Sequence, residues 1–314
     1  MRKIGRHICR LFLLLALSGT LANAHEGHEH AASIFDDLEF SQILTSIGLL
    51  FSLAIYAIGL LRLWRTAGRS RGISCGASAS FFGGWLSLVI ALIGPFHTLS
   101  ESLFSAHMTQ HEILMLVAAP LIILGRPHIA AVWSLPKSWR RGVSVFTNNR
   151  DVEYVWRFIS GSFVAFMIHA AALWIWHIPI LFDATLTSDW VHALQHASFF
   201  GTALLFWWAI VNSGLEWKSS FIGAFFLFLT SLHSGILGAF LTFTRQLWYP
   251  VYVNSTGTYG LTPLEDQQLG GLIMWVPAGL VYIGAGLVMF ARMLTQTERR
   301  AIDIDKRFLR EGTA

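Results

Sequence analysis

Long apolar stretches alternate with short polar segments along the chain, from about residue 40 to residue 295. A transmembrane helix needs about 20 residues, and each stretch is long enough to form one that lies tilted in the bilayer. The pattern therefore predicts an all-α membrane protein built as a seven-transmembrane-helix bundle. The predicted spans cover residues 43–61, 81–96, 108–124, 158–178, 193–211, 221–243 and 269–293.

A shorter apolar run precedes the first predicted span and lies between a basic N-terminus and the sequence Ala22-Asn23-Ala24. The run is too short to cross a bilayer, and this order of features is typical of a signal peptide cleaved behind Ala24. The sequence therefore divides into four predicted segments. They are a cleavable signal peptide (1–24), a periplasmic His-rich leader (25–40), the seven-helix membrane domain (41–295) and a cytoplasmic tail (296–314).

Composition and charge agree with a membrane protein. Hydrophobic residues make up 54% of the chain and charged residues 13%, whereas soluble domains carry about 25% charged residues. After the signal segment, every Lys and Arg except Arg245 falls on one side of the predicted bundle, which is the cytoplasmic side by the positive-inside rule. We therefore expect a multi-pass protein of the bacterial inner membrane, with the N-terminus outside and the C-terminus inside. Basic residues placed in this way beside membrane lipid do not indicate a nucleic-acid partner, despite the net charge of +4.

The pattern His-x-x-Gln-His occurs twice, at residues 107–111 and 192–196, and each copy opens a predicted span. Positions i and i+4 lie on one face of a helix, so each copy presents two imidazoles side by side. The preceding spans close with His97 and His177. A single histidine at the edge of hydrocarbon is often only an interfacial polar residue, but ionisable groups there are costly and mark functional sites by default. Two copies in one chain favour a membrane metal site.

The predicted metal ligands combine imidazoles with one thioether, a set that suits copper and especially Cu(I). They are His107, His111, His192, His196, His177 and Met108. No thiolate is expected on the outer side, because Cys75 falls in a basic loop. Other polar side chains at the same helix ends are expected to orient the rings by hydrogen bonds. These are Gln110, Gln195, Asp266 and Gln267.

The repeated motif makes the two helical hairpins resemble a duplicated unit, and this predicts the geometry of the site. The third and fifth spans should be neighbours, with the four rings roughly 4–8 Å apart, so that bonds of about 2 Å need only small adjustments. His177 should close the cluster, and Asp266 or Gln267 should hydrogen-bond a ring. The polar segment between Arg245 and Gln268 is expected to cover the site.

The predicted mature N-terminus is rich in histidine. It reads His25-Glu26-Gly27-His28-Glu29-His30, and tracts of this composition bind metal. The free terminal amine and the His25 imidazole can chelate one Cu(II), with His28 and His30 completing the shell. We therefore expect the leader to catch copper in the periplasm and pass it inward.

Two other classes of function are compatible with the histidines. One is a haem-b membrane electron carrier with axial ligands such as His169 and His233. The other is an intramembrane zinc hydrolase, in which three histidines hold zinc and Glu112 or Asp266 serves as the base. A retinal protein is excluded because every lysine after the signal segment lies in a predicted cytoplasmic segment. Neither an H-E-x-x-H motif nor a Walker motif occurs.

Four sequence runs resemble the polytopic CtaG family of cytochrome c oxidase assembly factors. The runs are Ala106-His107-Met108-Thr109-Gln110-His111, Trp176-His177-Ile178-Pro179, Val191-His192-Ala193-Leu194-Gln195-His196 and Asp266-Gln267-Gln268-Leu269-Gly270-Gly271-Leu272-Ile273-Met274-Trp275-Val276-Pro277. They fall in order on the expected helices, and the resemblance covers about residues 40–295. It implies a non-enzymatic role in maturing a haem–copper oxidase, by binding copper at the periplasmic face and assisting its insertion. The implied partners are cytochrome c oxidase subunits and periplasmic copper carriers.

Overall fold

The computed structural model describes residues 40–93, 95–212 and 217–311, and no strand occurs in these ranges. The predicted signal peptide and nearly all of the leader, with His25, His28 and His30, lie outside the described residues. Six helices in the described ranges are long and apolar enough to cross a membrane, and a bent pair makes a seventh if it is counted as one span. The all-α class is therefore confirmed for the described residues, which contain six to seven candidate membrane spans.

The first two spans form a helical hairpin. Helix α1 (Phe40–Ala67) is followed by helix α2 (Cys75–Leu92), which the Ser74 hydroxyl caps at its N-terminus. The Trp85 indole N–H donates to the Leu49 carbonyl at 2.9 Å and ties the two helices together inside an apolar core. This bond satisfies a buried indole, so the hairpin has a fixed relative orientation.

The third span is not a uniform α-helix. Helix α3 (Pro95–Ser102) leads into it, and the span itself consists of α4 (Phe104–Glu112), a π-helical segment (Ile113–Ala118) and α5 (Ala119–Leu124). Pro120 explains the change, because it lacks an N–H and its ring clashes with a carbonyl of the preceding turn in a regular helix. The Met115 carbonyl instead accepts a hydrogen bond from the Trp207 indole at 2.9 Å. The π-helical segment begins two residues after His111, and such segments are frequent at functional sites.

Three short helices follow the third span. They are α6 (Pro127–Ser134), α7 (Lys137–Thr147) and α8 (Arg150–Ile159). Helices α7 and α8 are strongly amphipathic and expose large apolar side chains, among them Trp139, Phe146 and Tyr154. Amphipathic helices of this kind suit the membrane interface.

The fourth predicted span, residues 158–178, is interrupted in the structure. The chain bends by 58° between α8 and helix α9 (Ser162–Trp176). Gly161 lies at the bend with an extended backbone and separates the two helices. Helix α9 has 15 residues, or about 22 Å, and falls short of a hydrocarbon core of about 30 Å. The fourth span is therefore complete only when the bent pair is counted together.

The remaining helices complete the bundle. They are α10 (Pro179–Thr187), α11 (Asp189–Asn212), α12 (Trp217–Phe243) and α13 (Pro263–Glu311), with 3₁₀ turns Pro250–Tyr252 and Thr256–Tyr259 between α12 and α13. A Cβ on Gly238 would lie 2.8 Å from the Gly271 carbonyl, so α12 and α13 pack with their backbones close together, as small residues allow in membranes. Helix α13 continues without a break past residue 295, so the predicted start of the tail is not a helix boundary.

Helix α4 lies centrally at one end of the bundle. We call this end the histidine end, because His107 and His111 of α4 and His192 and His196 of α11 lie there. It packs against α13, and the rest of the third span packs against α11. Phe104, Phe182 and Phe199 belong to one apolar core in this region, and each is almost completely buried. The starts of α4 and α11, which carry the two His-x-x-Gln-His motifs, are therefore brought together.

Candidate metal centre

Two histidine pairs meet between helices α4 and α11. The ring centroids are 4.4 Å apart for His107 and His111 and 4.2 Å apart for His192 and His196. Between the pairs, the distances are 5.1 Å from His107 to His192 and 5.3 Å from His111 to His196. The convergence that the i, i+4 spacing predicts is confirmed by these distances.

Three of the rings form a tighter group within this histidine cluster. One potential ligand atom from each of His107, His192 and His196 lies within 4.8 Å of the other two. Nitrogens that share a tetrahedral ion lie about 3.3 Å apart, so the group needs to contract by only about 1.5 Å. His111 contacts two members of the group and is 2% exposed, while His107 is fully buried. The cluster therefore offers three ligands at once and a fourth close by.

Several ring nitrogens of the cluster have no protein partner. Among the described residues, both nitrogens of His111 and the Nε2 atoms of His192 and His196 lack a hydrogen bond. A buried polar atom without a partner is costly, and in a native site it indicates an ion, a ligand or water. The free lone pairs of neutral imidazoles are what a metal ion requires.

Gln195 holds the ring of His107 by a hydrogen bond, and the Tyr252 hydroxyl lies on the other side of the ring. The Gln195 side-chain oxygen lies 3.2 Å from His107 Nε2, and the Tyr252 hydroxyl lies 3.4 Å from Nδ1. Because an amide oxygen only accepts, Nε2–H is the donor to Gln195 and Nδ1 keeps the lone pair. This is the ring-orienting role that the sequence predicts for Gln195.

Gln110, the matching residue of the first motif, has a different partner. Its amide nitrogen donates to the Ala91 carbonyl at 2.7 Å, near the C-terminal end of α2. Carbonyl groups at a helix end lack helical partners, so this bond satisfies one of them and ties α4 to α2. The structure therefore corrects the expectation that Gln110 orients a ring.

Asp266 caps helix α4 instead of contacting a ring. Its carboxylate accepts hydrogen bonds from the Phe104 N–H at 2.6 Å, from the Ser105 N–H at 3.1 Å and from the Ser105 hydroxyl. The first N–H groups of a helix have no helical partner and attract negative charge. The expected bond between Asp266 and a histidine ring is wrong, because the carboxylate is engaged in holding the start of the helix that carries His107.

The two glutamines after Asp266 fix the loop between α12 and α13. Gln267 accepts from the Trp248 N–H at 2.7 Å and donates to the Gln246 carbonyl at 3.1 Å. Gln268 donates to the Thr244 carbonyl at 2.9 Å. The expectation that Gln267 bonds a ring is therefore also wrong. The three consecutive polar residues join α13 to α4 and to the loop at the histidine end.

His177 and Met108 lie beside the cluster with other partners. His177 Nδ1–H donates to the Leu173 carbonyl at 2.7 Å, and its ring contacts Phe199 with centroids 6.1 Å apart. It is not a member of the three-histidine group. Met108 packs against Gly270 on α13, because successive helix positions differ by about 100° and turn it away from α11. The structure corrects the expectation that Met108 faces the cluster. The expectation that His177 closes the cluster stays a prediction, because its Nε2 atom is buried without a hydrogen-bond partner among the described residues.

The loop between α12 and α13 covers the cluster, as its position in the sequence predicts. Tyr249 and Tyr252 are buried, and the Tyr249 hydroxyl donates to the His177 carbonyl at 2.9 Å. Burial, and then the charge of Asp266, raises the pKa of the Tyr252 hydroxyl well above its usual range, so the group keeps its proton and donates it to the Ser100 carbonyl at 3.1 Å. Sequence reasoning did not identify these tyrosines. The signal that could have marked them is the aromatic run Trp248-Tyr249-Pro250-Val251-Tyr252 inside a segment rich in threonine and glycine.

The histidines farther along the helices make bonds between neighbouring helices. His169 Nδ1 pairs with the Thr202 hydroxyl at 3.0 Å, and the Trp174 indole donates to His233 Nδ1 at 3.4 Å. Polar side chains commonly bond across helices in membranes. These contacts favour a packing role for both histidines over axial ligation of a haem.

A pocket of about 40 Å³ adjoins the cluster. Its lining includes His192 and His196 from the cluster and His97, Glu101 and Asp189 from α3 and the start of α11. A cavity needs about 10–15 Å³ for each water, so the pocket has room for about three waters or one partly hydrated ion. It places carboxylates next to the histidines at positions that the sequence reasoning did not consider.

Comparison with known proteins shows distant relatives along most of the chain. It is 25% identical over 287 residues to the uncharacterized protein Mb0105 of Mycobacterium bovis and to the uncharacterized protein MT0111 of Mycobacterium tuberculosis, and each match covers 85% of this chain and 41% of the relative. It is 24% identical over 267 residues to the uncharacterized protein ML1998 of Mycobacterium leprae, over 80% of this chain and 38% of the relative. The chain thus spans about two fifths of the length of these relatives. No solved structure matches it.

The family of the chain is shown by a match to residues 54–296, which include both His-x-x-Gln-His motifs and the polar run at the start of α13. The matching family is described as Cytochrome c oxidase caa3 assembly factor (Caa3_CtaG). This match covers more than half of the chain and contains the whole histidine cluster. The chain belongs to the cytochrome c oxidase caa3 assembly factor family.

Proposed function

We propose that the protein binds copper at the histidine cluster and assists insertion of the metal into a cytochrome c oxidase. The observation that carries the proposal is the convergence of His107, His192 and His196 in a buried site, with His111 beside them. Membership of the family supplies the oxidase as the partner. Copper is the cargo in this account, and the role of the protein is assembly rather than catalysis.

The donor set of the cluster supports copper as the cargo. Imidazole nitrogens bind both copper and zinc, whereas magnesium and calcium prefer oxygen ligands. The three-histidine group contains no cysteine or carboxylate among the described residues. A haem–copper oxidase requires copper, so we expect its assembly factor to bind copper in preference to zinc.

The orientation in the membrane supports loading of the metal from the periplasm. Arg245 lies at the histidine end. The other basic residues of the segments that connect and follow the spans lie at the opposite end of the bundle, and the positive-inside rule marks that end as cytoplasmic. The His-rich leader joins α1 at the histidine end. His25, His28 and His30 then catch copper from a periplasmic carrier and bring it near the cluster.

The copper content of the oxidase in living cells tests this function. A deletion strain is complemented with the wild-type gene, with His196→Ala or with His128→Ala, at equal membrane abundance. His128 is the matched control, because it contacts Trp208 and lies outside the cluster. We expect the wild type and His128→Ala to restore copper in the purified oxidase and His196→Ala to leave it copper-poor. Normal oxidase copper in the deletion strain, or full rescue by His196→Ala, contradicts the proposal.

A hydrolytic zinc site is the second candidate function, favoured by the carboxylate of Glu101 in the pocket beside the three histidines. Zinc hydrolases hold the metal with three ligands and keep a position for water next to a base. Asp266, a base expected from the sequence, is engaged at the start of α4. Metal analysis of the purified chain, after equilibration with equal copper and zinc, separates the two functions. Retention of zinc alone favours the hydrolase.

A further inference from the structure

We infer that the pocket beside the cluster is the route by which copper enters, and that His97, Glu101 and Asp189 hold the ion at its mouth before it moves inward. This inference rests on the proposed function, because it concerns loading of the same site. The lining of the pocket includes both exposed Asp189 and the buried ring of His192. It therefore connects the surface with the cluster.

His97 links the mouth of the pocket to the cluster. Its ring lies 5.7 Å from the ring of His192, and the two planes differ by only 14°. Its Nε2 atom lies 3.5 Å from the carboxylate of Glu101, which is one turn farther along α3. His192 is 8% exposed, and its Nε2 atom has no hydrogen-bond partner among the described residues. His192 thus belongs to the three-histidine group and is also within reach of an ion held by His97.

The mouth carries negative charge that attracts a cation. The Glu101 side chain is 46% exposed, and Asp189 is exposed in the first turn of α11. Charged side chains of one sign that line a cleft raise the local concentration of the opposite ion and its association rate. The carboxylates can therefore speed the capture of copper without belonging to the final site.

The chemistry of the ligands gives the transfer a direction. Carboxylate is a harder ligand than imidazole. Cu(I) therefore favours the three-histidine group over the mouth of the pocket, where a single imidazole is combined with two carboxylates. The step is a ligand exchange in two stages: His192 first joins the ion at the mouth, and the bonds to His97 and to the carboxylates then break as bonds to His196 and His107 form. The ion keeps its oxidation state, and the imidazole lone pairs that bind it neither gain nor lose protons in the exchange.

The rate of copper loading tests the route. The full chain with His25, His28 and His30 replaced by alanine serves as the wild type of this comparison, so that the leader binds no copper. It is mixed anaerobically in detergent with Cu(I) supplied as its acetonitrile complex, the reaction is stopped with a chelator at set times, and protein-bound copper is measured. We expect the double variant Glu101→Gln/Asp189→Asn, and separately His97→Ala, to load about 10-fold or more slowly than the wild type, with the same final copper content. Glu153→Gln is the control, because Glu153 is exposed on α8 and pairs with Arg157.

The outcomes of this experiment separate the route from the proposed function. A wild-type chain that binds no copper contradicts the proposed function itself. A wild type that loads copper, while both the double variant and His97→Ala load it at the wild-type rate, overturns the route alone. A lower final copper content at an unchanged rate also overturns it, since the mouth residues would then be part of the final site. Added salt should slow loading of the wild type and leave the double variant almost unaffected, because salt screens exposed charges.

Discussion

At the scale of single residues, the two glutamines of the repeated motif show how the same spacing leads to different roles. Gln195 accepts a hydrogen bond from His107, whereas Gln110 donates to the Ala91 carbonyl. The sequence predicts a ring-orienting role for both, because their positions in the motif are identical. The difference arises from the neighbouring helices, since Gln195 meets a histidine of α4 and Gln110 meets the end of α2.

Replacement of each glutamine by leucine separates these roles. We expect Gln195→Leu to weaken Cu(I) binding about 10–100-fold, because a ligand ring that loses its hydrogen-bond partner is no longer held in one orientation. Gln110→Leu should change the affinity much less and instead lower the free energy of unfolding by about 1–3 kcal/mol, because the Ala91 carbonyl loses its partner. Competition with a Cu(I) chelator measures the affinity. Equal losses of affinity in the two variants contradict this assignment.

At the scale of secondary-structure elements, the start of α4 depends on a residue from α13. Asp266 accepts bonds from the backbone N–H groups of Phe104 and Ser105, and α4 then places His107 and His111. We expect Asp266→Asn to lower the free energy of unfolding by about 1–3 kcal/mol, since it loses a charge and one acceptor. It should also weaken Cu(I) binding, because the helix start moves.

The matched control for Asp266→Asn is Asp151→Asn. Asp151 lies in the first turn of the surface helix α8 and is exposed, so its loss should cost less than about 1 kcal/mol. Unfolding of the purified variants and Cu(I) competition provide both measurements. An Asp266→Asn protein with wild-type stability and affinity contradicts the proposed role of the cap.

The elements also show what the hydrophobic pattern can and cannot predict. The spans and the facing histidine pairs follow from periodicity, because helix geometry fixes which side chains share a face. The bend at Gly161 is less visible, because the apolar stretch that begins at residue 158 continues through Gly161 into α9 without a charged residue. The cap by Asp266 and the contact between Tyr252 and His107 join residues that are distant in sequence, so no local pattern reveals them.

At the scale of the whole molecule, the charge distribution predicts a single orientation in the membrane. Every basic residue of the loops except Arg245 lies at the end opposite the cluster. We expect an alkaline-phosphatase fusion after residue 145, in α7, to be inactive and a fusion after residue 257, in the loop that covers the cluster, to be active. Phosphatase activity at residue 145 contradicts this topology.

The most direct test of the account is X-ray absorption spectroscopy of copper bound to the cluster. The full chain with His25, His28 and His30 replaced by alanine is loaded with one equivalent of Cu(I), so that only the membrane site contributes. We expect a first shell of three to four imidazole nitrogens at about 2 Å, comparable to zinc–histidine bonds. We also expect loss of bound copper in a further His192→Ala/His196→Ala variant. A sulfur ligand such as Met108, or copper that remains bound in that variant, contradicts the histidine cluster as the copper site.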